Sequence, residues 1–408
     1  MTSVAHGGPF DPSTELAIRH LTDLIRFPSV SSASNVDANA HVAALLKSLG
    51  FAVTTSQYQD PNGVTKSNLV AVRQPSSQYS PQDSSPIGLA YLCHTDVVPA
   101  QSWKGPTPAS PKPASPNADP FKAVRTEDRI YGRGACDMKG SLAAMLAAIE
   151  RVPQSKQTAP LWVVCTADEE VGFEGAKQLA QHCPAFQSLV AHDPVAIIGE
   201  PTELQVVHAH KGIGGIKLHA KGKAGHSATA LGVNANEAMV PVLQTIFEIC
   251  QRTRTDESLL DDRFTPPTLS WNFGVSDHAR AINITPDRSD AWISFRTMPE
   301  IDGKALVAEV AEVAKANAVE VRMIDGCGPM WTSPDNPHIK SMELLSQSQA
   351  KTVSYATDGG VWNELSHRMI IGPGSISQAH TVDEWISIDQ LQQGIDLYQR
   401  AIEHWTCG

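Results

Sequence analysis

No two cysteines in this chain stand in a Cys-x-x-Cys pair. The seven present, Cys93, Cys136, Cys165, Cys183, Cys250, Cys327 and Cys407, form an odd, scattered set. Neither a disulfide framework nor a thiolate zinc site is therefore expected. Positive charge is also scarce: 32 Lys and Arg against 43 Asp and Glu leave a net charge of −11. That balance argues against nucleic acid or an anionic membrane as a partner. No apolar run reaches the length of a transmembrane helix, and residues 1–11 lack a basic stretch followed by an apolar one, so a cytoplasmic protein is expected. There is no internal repeat and no Gly-Lys-Ser/Thr loop. Gly212-Ile213-Gly214-Gly215 is not a phosphate-binding fingerprint.

What is present is an ordinary globular composition, with 41% hydrophobic and 18% charged residues over 408 positions. That length exceeds a usual single core and predicts two domains. In the N-terminal half, helical spacing marks Ser13 to Phe27, Asp37 to Leu49 and Ser141 to Arg151, with a further helix over Phe173 to His182. Strands are expected over 52–55 and 68–72. Short continuous apolar runs cover 87–93, 161–166 and 195–198, the pattern of buried strands. Alternating strands and helices predict a mainly parallel α/β sheet covered on both faces. Gln74 to Pro86 reads as a polar loop and Ser102 to Asp119 as a Pro-rich surface insertion. From about His208 the order becomes β-α-β-β-α-β, that of a ferredoxin-like α+β unit. The expected organisation is a catalytic domain over 1–207 and 326–408, with a lid or dimerisation domain inserted at 208–325.

The chemistry-bearing residues fall where those apolar runs end. His94 follows the first run, Asp168-Glu169-Glu170 the second and Glu200 the third. Asp137 closes a glycine-rich turn before the Ser141 helix, and His380 follows a late turn. Ligands gather at the carboxyl ends of strands in such sheets. Two histidines and several carboxylates offer ligands enough for two divalent metals. His94 and Asp96, two apart, share a face, which predicts that Asp96 orients the imidazole. Cys93 should face away from His94. Glu169 and Glu170 are adjacent, so one can ligate while the other stays free to move a proton.

Four stretches carry a resemblance: Leu92 to Pro99, Gly132 to Gly140, Ala167 to Glu170 and Gly199 to Thr202. They resemble the zinc aminoacylase and dipeptidase family of deacetylases, desuccinylases and carboxypeptidases. Within it, His210-Lys211-Gly212, Gly225-His226-Ser227 and Gly372 to His380 look most like the acetylornithine deacetylase branch. The resemblance implies His94 and Glu200 on one zinc, Glu170 and His380 on a second, and Asp137 bridging both. Cobalt or manganese are the expected substitutes. It also implies Glu169 as general base, His226 as an oxyanion donor from the inserted domain, and Asn283 with Arg296 near the substrate carboxylate. The expected activity is hydrolysis of a small N-acyl amino acid, N-acetylornithine first, by a homodimer joined through the inserted domain. A dipeptidase, carboxypeptidase or desuccinylase on the same scaffold is the alternative, and a non-catalytic binding homologue a more distant one. The chain departs from the family pattern at Asp277 to Ala281, where paired glycines are usual, and in the longer Pro-rich segment.

Overall fold

The computed structural model describes residues 11–76, 87–107, 112, 117–278 and 281–407. Parts of the polar loop and of the Pro-rich segment, and residues 279 and 280 of the departure noted above, lie outside them. The chain divides into two compact units. The first comprises Met1–His208, Thr332–Lys351 and Thr357–Gly408; the second comprises Ala209–Trp331 and Thr352–Ala356. The second unit thus extends past the expected return at 326. Strand Met330–Trp331 pairs back onto Ala209 and His210, and the Lys211 N–H donates to the Val353 carbonyl.

The centre of the first unit is four parallel strands in the spatial order Leu161–Thr166, Leu89–His94, Val195–Ile198 and Arg368–Ile370. Strands Ala52–Gln59 and Thr65–Arg73 add to the first of these in antiparallel fashion. The sheet is therefore mixed, with a parallel core. Alternation along Leu161–Thr166 explains why both faces are covered. Leu161, Val163 and Cys165 join the main core, whereas Trp162 turns to the other face beside Val70, Val72 and helix Pro184–His192. On the main face, helix Lys139–Arg151 packs between helices Pro12–Ile25 and Ile388–Thr406. Lys139 to Ile149 is buried without a break. Its Ala-Ala repeats allow neighbours to approach from every side, where an amphipathic helix would keep a polar stripe.

The second unit is a four-stranded antiparallel sheet with two helices, Ala235–Thr255 and Lys304–Ala316. The strands lie in the order Asn272–Ser276, Arg288–Phe295, Ile213–Lys221, Glu320–Cys327. In chain order that is 2-3-1-4, the ferredoxin-like arrangement. Ile216, Leu218, Ile293, Val242, Ile246 and Val310 are among the residues of its separate core. No helix among the described residues is long and apolar enough to cross a membrane.

Candidate metal centre

The parallel strands deliver their carboxyl ends to one edge of the sheet, and the candidate ligands of the first unit collect there. His94 is the last residue of its strand. Glu169 and Glu170 open a short 3-10 turn three residues beyond Thr166, and Glu200 stands two residues beyond Ile198. A Cβ at Gly199, just before Glu200, would strike the Tyr91 hydroxyl and Ser141, so the backbone passes where only glycine fits. Gly134, at φ +83°, makes the turn that ends on Asp137. Asp168 and His380 are held in the left-handed region, at φ 58° and 62°, a cost that neighbouring contacts must offset.

Two clusters share Asp137. Its Oδ1 lies 3.1 Å from His94 Nε2, which is 3.6 Å from Glu200 Oε1. Its Oδ2 lies 3.3 Å from His380 Nε2, which is 2.9 Å from Glu170 Oε2. His94, Asp137 and Glu200 form one group able to hold a cation, and Asp137, Glu170 and His380 a second. The first is buried throughout, while the His380 side chain is half exposed. His94 Nδ1 is 2.9 Å from the Asp96 carbonyl, which can only accept, so Nδ1 carries a proton and Nε2 is the ring atom turned toward Asp137.

The donor set fits cations. Four carboxylates, those of Asp137, Glu169, Glu170 and Glu200, face two imidazoles in a largely buried space, and Glu170 Oε1 has no hydrogen-bond partner. A buried excess of negative charge is costly unless a counter-ion accompanies it. The crowding shows in the ionisation of each group. Burial, with the charges of Glu200 and Glu170, holds Glu169 well above the usual carboxylate range against the pull of His94. Burial likewise raises Glu200, aided by Asp137. Burial works to raise Asp137 too, but hydrogen bonds with His380 and His94 outweigh it and keep the group well below the usual range. His380 is pushed up to about 10 by its contacts with Asp137 and Glu170. The field that draws protons onto these imidazoles is the one that would draw a metal ion.

Asp96 meets the His94 ring chiefly through its backbone carbonyl. Its carboxylate lies 3.7 Å from His94 Nδ1, farther than its own carbonyl. The strand ends at His94, so the two-residue alternation does not extend to Asp96. The carboxylate instead accepts from Ser31 Oγ at 2.7 Å and faces the backbone N–H groups of Glu169 and Glu170 at 3.3 and 3.4 Å. It thus anchors the turn that carries the two glutamates. Cys93 points to the neighbouring strand, with its Sγ 3.6 Å from that of Cys165.

In the second unit, the Gly225 to Ser227 segment pairs with Asn283 to Thr285. Ser227 N–H donates to the Asn283 carbonyl, and Thr285 N–H to that of Gly225. His226 is exposed, and its Nδ1 accepts the Ala228 N–H at 3.1 Å. The neutral ring therefore carries its proton on Nε2, as an outward donor. Arg296 does not join this pair. It follows strand Arg288–Phe295, roughly 23 Å long at about 3.3 Å per residue, whereas Asn283 precedes that strand.

Three buried polar residues outside the expected set serve the site. Glu384 accepts four hydrogen bonds from the Arg133–Asp137 turn. Asp168 is gripped by Lys66 Nζ and the Tyr58 hydroxyl, each at 2.8 Å. Asp358 accepts from Thr166 Oγ1 at 2.6 Å, and burial pushes its pKa up to about 7. The only sequence signal was polarity in apolar surroundings, as in Lys66-Ser67-Asn68 opening a buried strand.

Fold and site together define a class of α/β protein: a mainly parallel sheet, an inserted antiparallel unit and imidazole–carboxylate clusters at the carboxyl edge. Residues 90–404 match the model of the peptidase family M20/M25/M40. The chain belongs to this family and is a hydrolase. It is 30% identical over 399 residues to an acetylornithine deacetylase from Myxococcus xanthus, covering 95% of this chain and 97% of that one. In fold it is similar to an M20-family metallo-carboxypeptidase from Sulfolobus solfataricus, with a TM-score of 0.70, 18% identity, and 97% and 99% of the two chains covered. It is also similar to a dinuclear metal-binding M20 peptidase from Bacillus subtilis, with a TM-score of 0.60, 12% identity, and 96% and 99% covered.

Proposed function

We propose that the chain is a cytoplasmic two-metal amidohydrolase that removes the acyl group from an N-acyl amino acid, with N-acetylornithine the leading substrate. The observation that carries this reading is the position of Asp137, whose two oxygens face separate imidazole–carboxylate clusters. His94 and Glu200 would hold one ion, Glu170 and His380 a second, and Asp137 both. Imidazole with carboxylate suits zinc, and cobalt or manganese could substitute. When bound, such a pair lowers the pKa of a shared water and polarises the scissile carbonyl. Glu169, in neither cluster, would act as the base that accepts a proton from the attacking water and returns it to the leaving amine. The name of the Myxococcus relative supports the substrate, and the Bacillus peptidase supports the ion count.

A homodimer through the inserted unit belongs to the same proposal. Val240 and Phe247 on helix Ala235–Thr255 and Val275 on the edge strand Asn272–Ser276 are each more than half exposed. An exposed apolar edge strand is a template for pairing with another chain. His226 would donate its Nε2–H to the tetrahedral oxyanion, and Arg296 would bind the substrate carboxylate through its planar fork. Because His226 and Arg296 lie at opposite ends of the inserted sheet, the dimer offers a way for both to serve one substrate. His226→Ala is expected to cost roughly 2.7–4 kcal/mol of transition-state stabilisation. Mixing His226→Ala with Glu169→Gln subunits should then restore activity in mixed dimers. No regain would place donation within one chain.

Substrate choice is tested with a panel: N-acetylornithine, its carboxamide, N-succinyl amino acids and dipeptides, on protein loaded with Zn²⁺, Co²⁺ or Mn²⁺. Preference for the acetyl acid over its amide is expected. Equal rates on acid and amide would remove the carboxylate clamp. Faster turnover of dipeptides would replace deacetylation by peptidase activity and leave the metal reading standing.

A further inference from the structure

The turn that ends on Asp137 and the segment that carries His380 meet at one buried carboxylate, 1% exposed, that of Glu384. Its Oε1 accepts the backbone N–H groups of Cys136 and Asp137 at 2.8 and 2.9 Å. Its Oε2 accepts the Gly134 N–H at 2.9 Å and Arg133 Nη1 at 2.7 Å. Arg133 Nη2 reaches back to the Thr381 carbonyl at 3.0 Å, beside His380. The backbones run together here as well: Gly132 N–H donates to the Glu384 carbonyl, and Trp385–Ser387 pairs with Arg129–Tyr131.

We propose that Glu384 is a positioning residue for the metal pair: by clasping Gly134, Cys136, Asp137 and Arg133 it fixes Asp137 against His380 and preforms both half-sites. The inference rests on the two-metal reading above and deepens it. Charge-assisted bonds of this kind are the strong ones in proteins, and converging backbone N–H groups form a ready cradle for an anion. Arg133, paired with Glu384 at 2.7 Å, partly offsets its charge beside the Asp137 carboxylate. None of its bonds involves an ion, so Asp137 is already in place when the first ion arrives.

The clasp predicts an effect on metal affinity separable from stability. Glu384→Gln keeps the shape but turns an amide N–H₂ toward backbone donors, breaking part of the cradle. Loss of such an outer partner typically weakens metal binding about 10–100-fold. Both ions should be affected, because Asp137 faces both. Arg133→Lys keeps a positive charge beside Glu384 but loses the arm on Thr381, and should weaken one ion more than the other. The full-length apo chains are titrated with Zn²⁺ against a chelator of known affinity, and circular dichroism follows the thermal midpoint of each apo form. A residue that only stabilised the fold would lower the midpoint and leave affinity unmoved. If the unsubstituted chain binds no divalent ion, the metal reading itself fails. If it binds two and folded Glu384→Gln matches it within twofold, the positioning role alone is overturned. Should Glu384→Gln not fold, Arg133→Lys decides: weakened binding supports the clasp and unchanged affinity for both ions refutes it.

Discussion

Replacing Asp137 with alanine is expected to abolish hydrolysis and to strip bound metal from the protein. Asp137 is the one residue common to both clusters, its two oxygens facing His94 and His380 at 3.1 and 3.3 Å. Removing it leaves each half-site one imidazole and one carboxylate, His94 with Glu200 and His380 with Glu170. Catalytic zinc sites ordinarily use three protein ligands. His94 and Glu200 are buried at strand ends and cannot shift to make up the lost ligand. Asp137→Asn separates bridging from charge: it keeps one oxygen, so partial retention of a single ion is expected. Metal per chain, measured by elemental analysis after exhaustive dialysis, is compared with turnover on the same samples. An Asp137→Ala protein that keeps its full metal content would show that Asp137 does not bridge.

The candidate ligands were legible because buried parallel strands are unbroken apolar runs, so a histidine or glutamate at the end of one stands out. His94, Glu170 and Glu200 needed only the rule that such strands present their carboxyl ends to one edge. The ferredoxin-like order of the inserted unit followed in the same way from alternating runs and two helices. What stayed hidden depended on distance along the chain. Glu384 contacts residues about 250 positions earlier, and Lys66 meets Asp168 across 102 positions of chain. No local pattern reports such bonds. One local rule was also carried too far: the two-residue alternation was extended past His94, where the strand stops. Helix Pro184–His192 escaped notice because it follows Glu174–His182 with only Cys183 between.

Glu169→Gln is expected to lower kcat by about 10²–10⁴, the usual loss for a positioned base, with metal content unchanged. The prediction rests on how differently the turn treats two adjacent glutamates. Glu170 lies 2.9 Å from His380 Nε2 and belongs to the second cluster. Glu169 belongs to neither, and its carboxylate takes no hydrogen bond or ion pair among the described residues, although it is 91% buried. The turn itself is rigid. Asp96 holds both backbone N–H groups, and Lys66 with Tyr58 holds the left-handed Asp168 before them. A largely buried, unpaired carboxylate beside the candidate cation site is poorly placed as a solvated surface charge and well placed to exchange a proton with a water held there. Burial and the neighbouring Glu200 and Glu170 charges raise its pKa above that of an ordinary carboxylate, which makes it a stronger base. Glutamine preserves volume and removes that capacity, so the half-sites should remain intact while chemistry slows. Single-turnover rates and metal content are measured on one preparation. Near-normal turnover would move the base to another group, and a fall in metal content matching the fall in rate would make Glu169 a ligand instead.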